Sequence, residues 1–254
     1  MADYRIISCN VRLQTPHDAE QQFNNRVGFL CERLLELDAD VIGFQEITHV
    51  MRLELIKRMP EYTFVGGCRE ASRLGESATI AYKTERFILE RLSSDMLSPT
   101  PSVPGSTYGT DQSKCPRIFS SAELMPYDGS SPMRIINIHT DHVGKEARML
   151  EVRQLIDTYT RDNSARPMPT VVTGDFNATP NTAEMIRMAE LFADLSADVG
   201  PTFHDYGRYV PGVKIDYVFA SADVTPRGTF APHDVRDGLY FSDHDPVVAD
   251  VSLI

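Results

Sequence analysis

The segment TVVTGDFNATP, residues 170–180, places an acid and an amide where a strand pattern ends. A β-branched run stops at Gly174 and is followed by Asp175 and Asn177. Strand ends on a rigid sheet are common positions for catalytic groups, and a carboxylate beside an amide can activate and orient a water molecule. The same residues also suit an Asx turn before a helix near Asn181, with Glu184 completing a capping-box pattern. Both interpretations stay open for this segment alone.

Other predicted strands also end in residues that can bind metal or transfer protons. These residues are Asn10, Glu46, His139, Asp216, Asp243 and His244. Carboxylate and amide oxygens suit Mg²⁺ or Mn²⁺. Zinc is less favoured, because only His139 and His244 look like site histidines and no thiolate joins them. Each residue alone also has a structural explanation, such as a satisfied strand end, a helix cap or a surface turn.

Periodic hydrophobicity indicates a mixed sheet that would position these residues. The predicted strands cover residues 4–11, 41–47, 77–83, 86–92, 115–124, 133–139, 170–174, 213–219 and 246–253, and helical patterns cover 23–34, 49–59, 149–159 and 185–192. The strands at 77–83 and 86–92 are expected to pair as a hairpin. In 213–219 the apolar residues alternate, so Asp216 faces the opposite side. Two halves, each with strands and covering helices, fit two packed sheets with helices outside.

Residues 93–114 are rich in Ser, Thr, Pro and Gly and show neither strand nor helix periodicity. An irregular connection of about 20 residues within a compact domain is uncommon and is often functional. We therefore expect this segment to form a loop at the rim of the site.

Composition limits the classes of protein that this chain can be. The 254 residues, 42% of them hydrophobic, can bury a sizeable core, and one domain over residues 1–254 is expected. The net charge of −11 gives no broad attraction to polyanions or anionic membranes. Cations held by the carboxylates would offset part of that charge, so the substrate class stays undecided.

Cysteine usage and the N-terminal sequence favour a cytoplasmic location. The four cysteines form no C-x-x-C pair and are expected to be reduced. The first residues lack the features of a signal peptide, and no apolar run approaches membrane-spanning length. A monomer without membrane insertion is expected.

Six segments in order resemble the endonuclease/exonuclease/phosphatase superfamily, which has the DNase I-like fold. They are CNVR, GFQEI, NIHTDH, TGDFNATP, KIDYVF and SDHDPV, and the resemblance extends from residue 4 to about 252. The NIHTDHVGKEAR segment and the CPR at 115–117 most resemble bacterial members related to the carbon catabolite repressor type of RNA deadenylase. The resemblance implies an α/β (α+β) four-layer sandwich, with two packed mixed β-sheets flanked by helices. It also implies divalent-metal-dependent cleavage of a phosphoester by water.

On the matching positions, the resemblance implies a division of roles. Asn10 and Glu46 would hold Mg²⁺ or Mn²⁺, and Asp243 could assist. Asp175 would orient or deprotonate the attacking water, while Asn177 would fix that geometry and contact the phosphate. One departure is Arg12, which stands two residues after Asn10 where the abasic-site endonucleases carry an acid.

The two histidines would act on the phosphoryl group from opposite sides. The resemblance implies that His139 and His244 donate hydrogen bonds or protons, with Asp216 fixing the tautomer of His244. Glu76 is similar to the glutamate that pairs with the first histidine in DNase I-type members. Arg117 and His142 are expected to contact substrate.

The favoured function is hydrolysis of a phosphoester, most of all a phosphodiester, in RNA or DNA ends or nucleotide-like substrates. The alternatives are a phosphomonoesterase, including a phospholipid or inositol head-group phosphatase, and a non-catalytic binding module on the same fold. No Lys/Arg-rich run is present, which argues against a non-specific duplex nuclease.

Overall fold

The computed structural model describes residues 3–253, which form strands with a few helices between them. The strands are β1 (Asp3–Asn10), β2 (Val41–Ile47), β3 (Tyr62–Val65), β4 (Ser77–Lys83), β5 (Phe87–Met96), β6 (Ile118–Pro126), β7 (Met133–His139), β8 (Thr170–Asp175), β9 (Ala193–Asp194), β10 (Asp216–Ala220), β11 (Val224–Phe230), β12 (Val235–Arg236), β13 (Leu239–Tyr240) and β14 (Val247–Leu253). The helices are α1 (Phe23–Leu37), α2 (His49–Arg58), α3 (Lys145–Ala165) and α4 (Ala183–Ala189), and Pro16–Gln21 forms a 3-10 helix.

Two six-stranded mixed sheets form the centre of the molecule. One has the strand order β11-β14-β1-β2-β4-β3 and the other has the order β5-β6-β7-β8-β10-β9. Each sheet contains one parallel pair, β1 with β2 and β7 with β8. Because carboxyl ends of parallel neighbours lie at the same edge, each sheet presents two strand ends together.

Three apolar clusters confirm the predicted four-layer sandwich. Residues such as Ile6 and Val171 are buried between the two sheets. Leu30 of α1 packs with Phe44 of β2 on the outer face of the first sheet. Leu155 of α3 packs with Phe219 of β10 on the outer face of the second. Side chains on alternate sides of each strand thus serve different layers.

The alternation predicted around Asp216 is confirmed. Tyr217 and Phe219 pack under the helices of the second sheet, whereas Val218 belongs to the cluster between the sheets. Asp216 shares the side of Val218 and is 1% exposed. Its carboxylate therefore points into the space between the sheets, where a polar partner is required.

The predicted hairpin of residues 77–83 and 86–92 is wrong. Strand β4 pairs with β2 and β3 in the first sheet, whereas β5 pairs with β6 in the second. The short connection between β4 and β5 therefore crosses from one sheet to the other. The lengths and the hydrophobic alternation of two successive strands are the same whether they pair with each other or join different sheets. The local sequence therefore does not determine which sheet a strand joins.

The irregular segment begins four residues later and ends three residues later than predicted, and hydrogen bonds hold it against α3. Strand β5 extends to Met96 and β6 begins at Ile118, so the loop covers residues 97–117. Asp111 accepts hydrogen bonds from the backbone N–H groups of Glu146 and Ala147 at the start of α3. The first N–H groups of a helix have no acceptor within the helix, and Gly144, the residue before α3, has no side chain that could accept from them. Asp111 supplies that acceptor.

Strands β3 and β11 were not predicted. Residues 62–65 form a strand of four residues, and β11 carries Pro226 and Gly228 at an irregular pairing with β14. Short strands and strands interrupted by Pro and Gly give weak periodic signals. In the described part of the chain, no helix is both long enough and apolar enough to cross a membrane.

Candidate active site

Strand ends from both sheets converge on one polar cluster. Asn10 is the last residue of β1, His139 is the last of β7 and Asp175 is the last of β8. Asp175 pairs in register with His139 on one side and with Asp216 on the other. The two parallel pairs thus bring the predicted site residues together.

A cavity of about 330 Å³ opens onto this cluster. Its walls include Arg69 and most of the residues singled out from the sequence: Arg12, Glu46, Glu76, Arg117, His139, His142, Asp175, Asn177, Asp243 and His244. A volume of this size is at the lower end of the range for small-molecule sites.

Asp175 is buried at the floor of the cluster and both its oxygens are hydrogen-bonded. Its Oδ2 accepts from Asn10 Nδ2 at 2.9 Å, and its Oδ1 accepts from the Asn177 backbone N–H at 2.9 Å. Burial and the neighbouring charge of Asp216 raise its pKa to about 7. A carboxyl group with a pKa near neutrality can accept and return a proton.

The Asx turn that competed with a catalytic role is also present. The bond from the Asn177 N–H to Asp175 Oδ1 closes that turn, while Oδ2 stays directed at the cluster. The predicted capping box is wrong, because α4 begins after Thr182 and the structure gives it no side-chain cap. Glu184 instead forms an ion pair with Arg148 at 2.8 Å.

Glu46 reaches the cluster through a β-bulge. Gln45 lies between the sheets and Ile47 packs on the opposite face, so strict alternation is broken at Glu46. The residue has φ 64°, a left-handed conformation that is uncommon for a side chain other than glycine. Bulges re-aim side chains beside active sites, and this one turns the Glu46 carboxylate toward Asn10.

Two donors and a nearby cation hold Glu46 as a carboxylate. Oε1 accepts from Asn10 Nδ2 at 3.2 Å and Oε2 accepts from the Leu13 backbone N–H at 2.9 Å. Burial alone would raise the pKa of Glu46, but the positive charge of Arg12 and the Leu13 bond outweigh it and lower the pKa overall. An anionic oxygen ligand is therefore available at neutral pH.

The histidines occupy opposite electrostatic environments. Burial would lower the pKa of His244, but Asp216, whose Oδ2 lies 2.8 Å from His244 Nδ1, raises it well above the usual value. His139 has its pKa lowered by burial and then by the charges of Arg117 and Arg69. Their Nε2 atoms lie 3.9 Å and 3.6 Å from Asp175 Oδ2. His244 is thus suited to donate a proton and His139 to act as a neutral imidazole.

The donor set fits a divalent cation. Ligand atoms of Glu46, His139 and Asp175 lie within 4.8 Å of one another, and those of Asp175, Asp216 and His244 form a second such group. Carboxylate oxygens predominate in both groups, and Mg²⁺ and Mn²⁺ prefer such ligands. Asp216 Oδ1 is buried without a hydrogen-bond partner among the described residues.

Asp243 does not join either group in the described part of the chain. Its Oδ2 lies 3.6 Å from Arg12 Nε, and its Oδ1 accepts from Ser242 Oγ at 3.2 Å. Arg12 also pairs with Asp18 at 3.0 Å. Asp243 lines the cavity and lies beside Arg12, whose charge acts on Glu46, and its assistance to a metal stays a prediction.

Glu76 has a partner other than the one expected. Its Oε1 accepts a hydrogen bond from Arg69 Nη2, and no bond to His139 is formed. Arg117 and His142, which we expect to contact substrate, both line the cavity, and Arg117 Nη2 lies 2.7 Å from His142 Nδ1. Arg69 was missed by the sequence analysis, because a single arginine in an irregular segment gives no local signal.

Two further histidines lie together beside the cluster. Nε2 of His204 and Nδ1 of His233 lie 3.2 Å and 3.0 Å from Asp245 Oδ1. The Gly207 N–H donates to His204 Nδ1 at 3.3 Å, so the proton of a neutral ring lies on Nε2 and points to Asp245. Hydrogen bonds thus account for this group, which connects the segment at 204–207 to the residue after His244.

The model of the Endonuclease/Exonuclease/phosphatase family matches residues 7–244 of the chain. That span includes every site residue discussed above except Asp245. No curated protein sequence gives a significant match to the chain.

Solved structures of similar proteins cover the full length. An endonuclease/exonuclease/phosphatase from Bacteroides vulgatus is 27% identical, with complete coverage of both chains and a TM-score of 0.93. A mannosyl-6-phosphatase from Bacteroides thetaiotaomicron is 23% identical, with 99% of each chain covered and a TM-score of 0.87. The human Nocturnin catalytic domain is 18% identical, with 99% of this chain and 94% of that chain covered and a TM-score of 0.77.

Proposed function

Since the chain belongs to the endonuclease/exonuclease/phosphatase family, we propose that it hydrolyses phosphoester bonds with the help of Mg²⁺ or Mn²⁺. One observation carries the proposal. The Asp175 carboxylate is held by Asn10 and by the Asn177 backbone, with the Nε2 atoms of two histidines 3.6 Å and 3.9 Å from its Oδ2. Such an arrangement positions a base and two donors around one small volume.

Glu46 and Asn10 would hold the cation at the end of the first sheet. When bound, a divalent cation supplies positive charge for the phosphoryl oxygens as the attacking oxygen bonds to phosphorus. Glu46 suits this role because Arg12 keeps it ionised, and the bulge fixes its direction. A fixed carboxylate needs little reorganisation when substrate arrives.

Asp175 would accept the proton of the attacking water. The water oxygen forms a bond to phosphorus while the bond from phosphorus to the leaving oxygen breaks. Asn177 holds the carboxylate through its backbone N–H, and its side chain donates to Thr140 O at 3.1 Å. The proton of the water thus passes to an oriented base.

His244 would donate a proton to the phosphoryl or leaving oxygen. Asp216 occupies its Nδ1, so Nε2 is the atom directed toward Asp175 and the cavity. Neutral His139 would donate a hydrogen bond from the other side, which completes the stabilisation of developing negative charge.

The resemblance in sequence favours a phosphodiester in RNA or DNA ends, and a phosphomonoester is the alternative. The mannosyl-6-phosphatase and Nocturnin structures are each less than 25% identical and support only the shared fold. A chromogenic pair, p-nitrophenyl phosphate and bis(p-nitrophenyl) phosphate, separates the two bond classes. Hydrolysis of either with Mg²⁺, and loss of that activity with EDTA, would support the proposal. Hydrolysis of neither would favour the binding module.

A further inference from the structure

We propose that the cavity is built for the dianionic phosphate of a small phosphomonoester, and that Arg69 and Arg117 form the wall that recognises its additional charge. The inference rests on the proposed function and narrows its substrate class. It departs from the sequence analysis, which favoured a phosphodiester. The reasons are the burial of the two arginines, their incomplete pairing and the size of the cavity.

Both guanidinium groups are nearly fully buried beside the cavity. The side chains of Arg69 and Arg117 are 9% and 3% exposed. Arg69 donates to Glu76 through Nη2 but has no acceptor for Nε, and Arg117 has none for Nη1, among the described residues. Buried arginines without full pairing are costly unless an anion joins them.

The neighbouring carboxylates satisfy the N–H groups of the two arginines only in part. Asp141 lies 3.4 Å from Arg117 Nε, but its oxygens already accept hydrogen bonds from Ser113, Val143 and Gly144. Glu76 accepts from Arg69 Nη2 and leaves Arg69 Nε without an acceptor among the described residues. The wall therefore keeps N–H groups that can donate to the oxygens of a phosphate.

The charge reaches the reacting end of the cavity. Arg69, Arg117 and His139 line the same cavity, and His139 Nε2 lies 3.6 Å from Asp175 Oδ2. The cavity thus has an acidic side at Glu46 and Asp175 and a basic side at the two arginines, with His139 between them. A phosphoryl group at His139 would contact both sides.

A phosphomonoester gains more from this wall than a phosphodiester does. Its phosphate carries three non-bridging oxygens and up to two charges, whereas a diester carries two such oxygens and one charge. Guanidinium groups bind phosphate oxygens through charge-assisted hydrogen bonds. The volume of about 330 Å³ suits a small substrate.

The test compares kcat/KM for p-nitrophenyl phosphate and bis(p-nitrophenyl) phosphate with Mg²⁺. We expect the unaltered protein to favour the monoester. Arg69→Gln should lower kcat/KM for the monoester by about tenfold or more, because one charged hydrogen bond to the phosphate is lost. The value of kcat/KM for the diester should change far less. Arg153→Gln, which removes an exposed arginine of α3, is the matched control and should leave the ratio unchanged.

Two further measurements separate recognition from folding. Arg69→Gln/Glu76→Gln removes both members of the buried pair and should lose the same preference for the monoester. Inorganic phosphate should raise the Tm of the unaltered protein and raise that of Arg69→Gln less. If Arg69→Gln does not fold, the proposal is tested on the unaltered protein alone. The tests are then its ratio of kcat/KM for the monoester to kcat/KM for the diester and the change of its Tm with inorganic phosphate.

Distinct outcomes contradict the two proposals. A preference of the unaltered protein for the diester, or an equal loss of both activities in a folded Arg69→Gln protein, would overturn the assignment of a monoester. Hydrolysis of neither substrate would overturn the proposed function itself.

Discussion

Three residues around the active site adopt left-handed backbone conformations. Arg12 has φ 58°, Glu46 has φ 64° and Asn177 has φ 47°. Each such conformation costs about 1–3 kcal/mol for a residue other than glycine and persists only where surrounding contacts impose it. Glu46 carries the proposed metal-binding carboxylate, and the backbone N–H of Asn177 holds the carboxylate of Asp175. The sequence predicted the identity of these residues but not the backbone that aims them.

Asp175→Asn is the substitution that most directly removes the proposed base. The amide keeps the shape and, through its single oxygen, one of the two hydrogen bonds that Asp175 accepts, but it loses the charge and the ability to accept a proton. We expect kcat to fall by about 10² or more, with substrate affinity unchanged or tighter. Single-turnover cleavage and equilibrium binding of the same substrate measure the two effects. Activity within about tenfold of the unaltered protein would mean that another group activates water.

Asp216→Asn tests the protonation of His244. Asp216 raises the pKa of His244 against the effect of burial, so without it burial dominates and the pKa falls. If protonated His244 donates the proton, activity should decline as the pH rises through the pKa of His244. Because this pKa is lower in Asp216→Asn, the decline should move to lower pH. Profiles of kcat against pH for the two proteins give the shift. An unchanged high-pH limb would remove His244 from the role of acid.

Strand ends were the part of the active site that the sequence predicted best. Buried runs followed by polar residues placed Asn10, His139 and Asp175 correctly, because the carboxyl ends of parallel strands share an edge. The bulge at Glu46 and the crossing between β4 and β5 depend on contacts with distant strands. Arg69 likewise depends on pairing with a residue seven positions away. None of these has a local pattern.

The close packing of the two sheets beneath the active site predicts the effect of Gly43→Ala. A Cβ at Gly43 in β2 would overlap Thr173 Oγ1 of β8 and lie 2.8 Å from Asn137 Oδ1. Overpacking of this kind costs about 1–3 kcal/mol, so Tm should fall. Gly228→Ala in β11 is the control, since its Cβ would meet nothing within 4 Å. Equal Tm values for the two variants would contradict this description of the interface.

The loop at residues 97–117 is expected to select substrates. Cys115 lines the active-site cavity, and Pro101 and Ser102 line a neighbouring cavity of about 370 Å³. Because the hydroxyls of Ser98 and Ser106 lie 2.6 Å apart, deleting residues 99–105 shortens the loop at a natural closure. We expect the deletion to change preference among larger phosphoesters more than the rate on p-nitrophenyl substrates. An equal loss on all of them would indicate a structural role.

At the scale of the whole molecule, the four layers and the family could be predicted from the sequence. Ordered motifs across nearly the whole chain determine both, and the family match at residues 7–244 agrees. The substrate could not be predicted in the same way. In our proposal it depends on how completely Arg69 and Arg117 are paired, which only the folded arrangement of distant residues reveals.

The proposed function requires that a divalent cation held near Glu46 supports hydrolysis. The direct measurement is the rate on a chromogenic phosphoester as Mg²⁺ is titrated into chelator-treated protein, for the unaltered chain and for Glu46→Gln. We predict no activity without metal, recovery on adding Mg²⁺, and a requirement for more Mg²⁺ in the variant, because an anionic ligand is lost. Full activity after exhaustive chelation, or the same Mg²⁺ dependence in Glu46→Gln, would contradict the account.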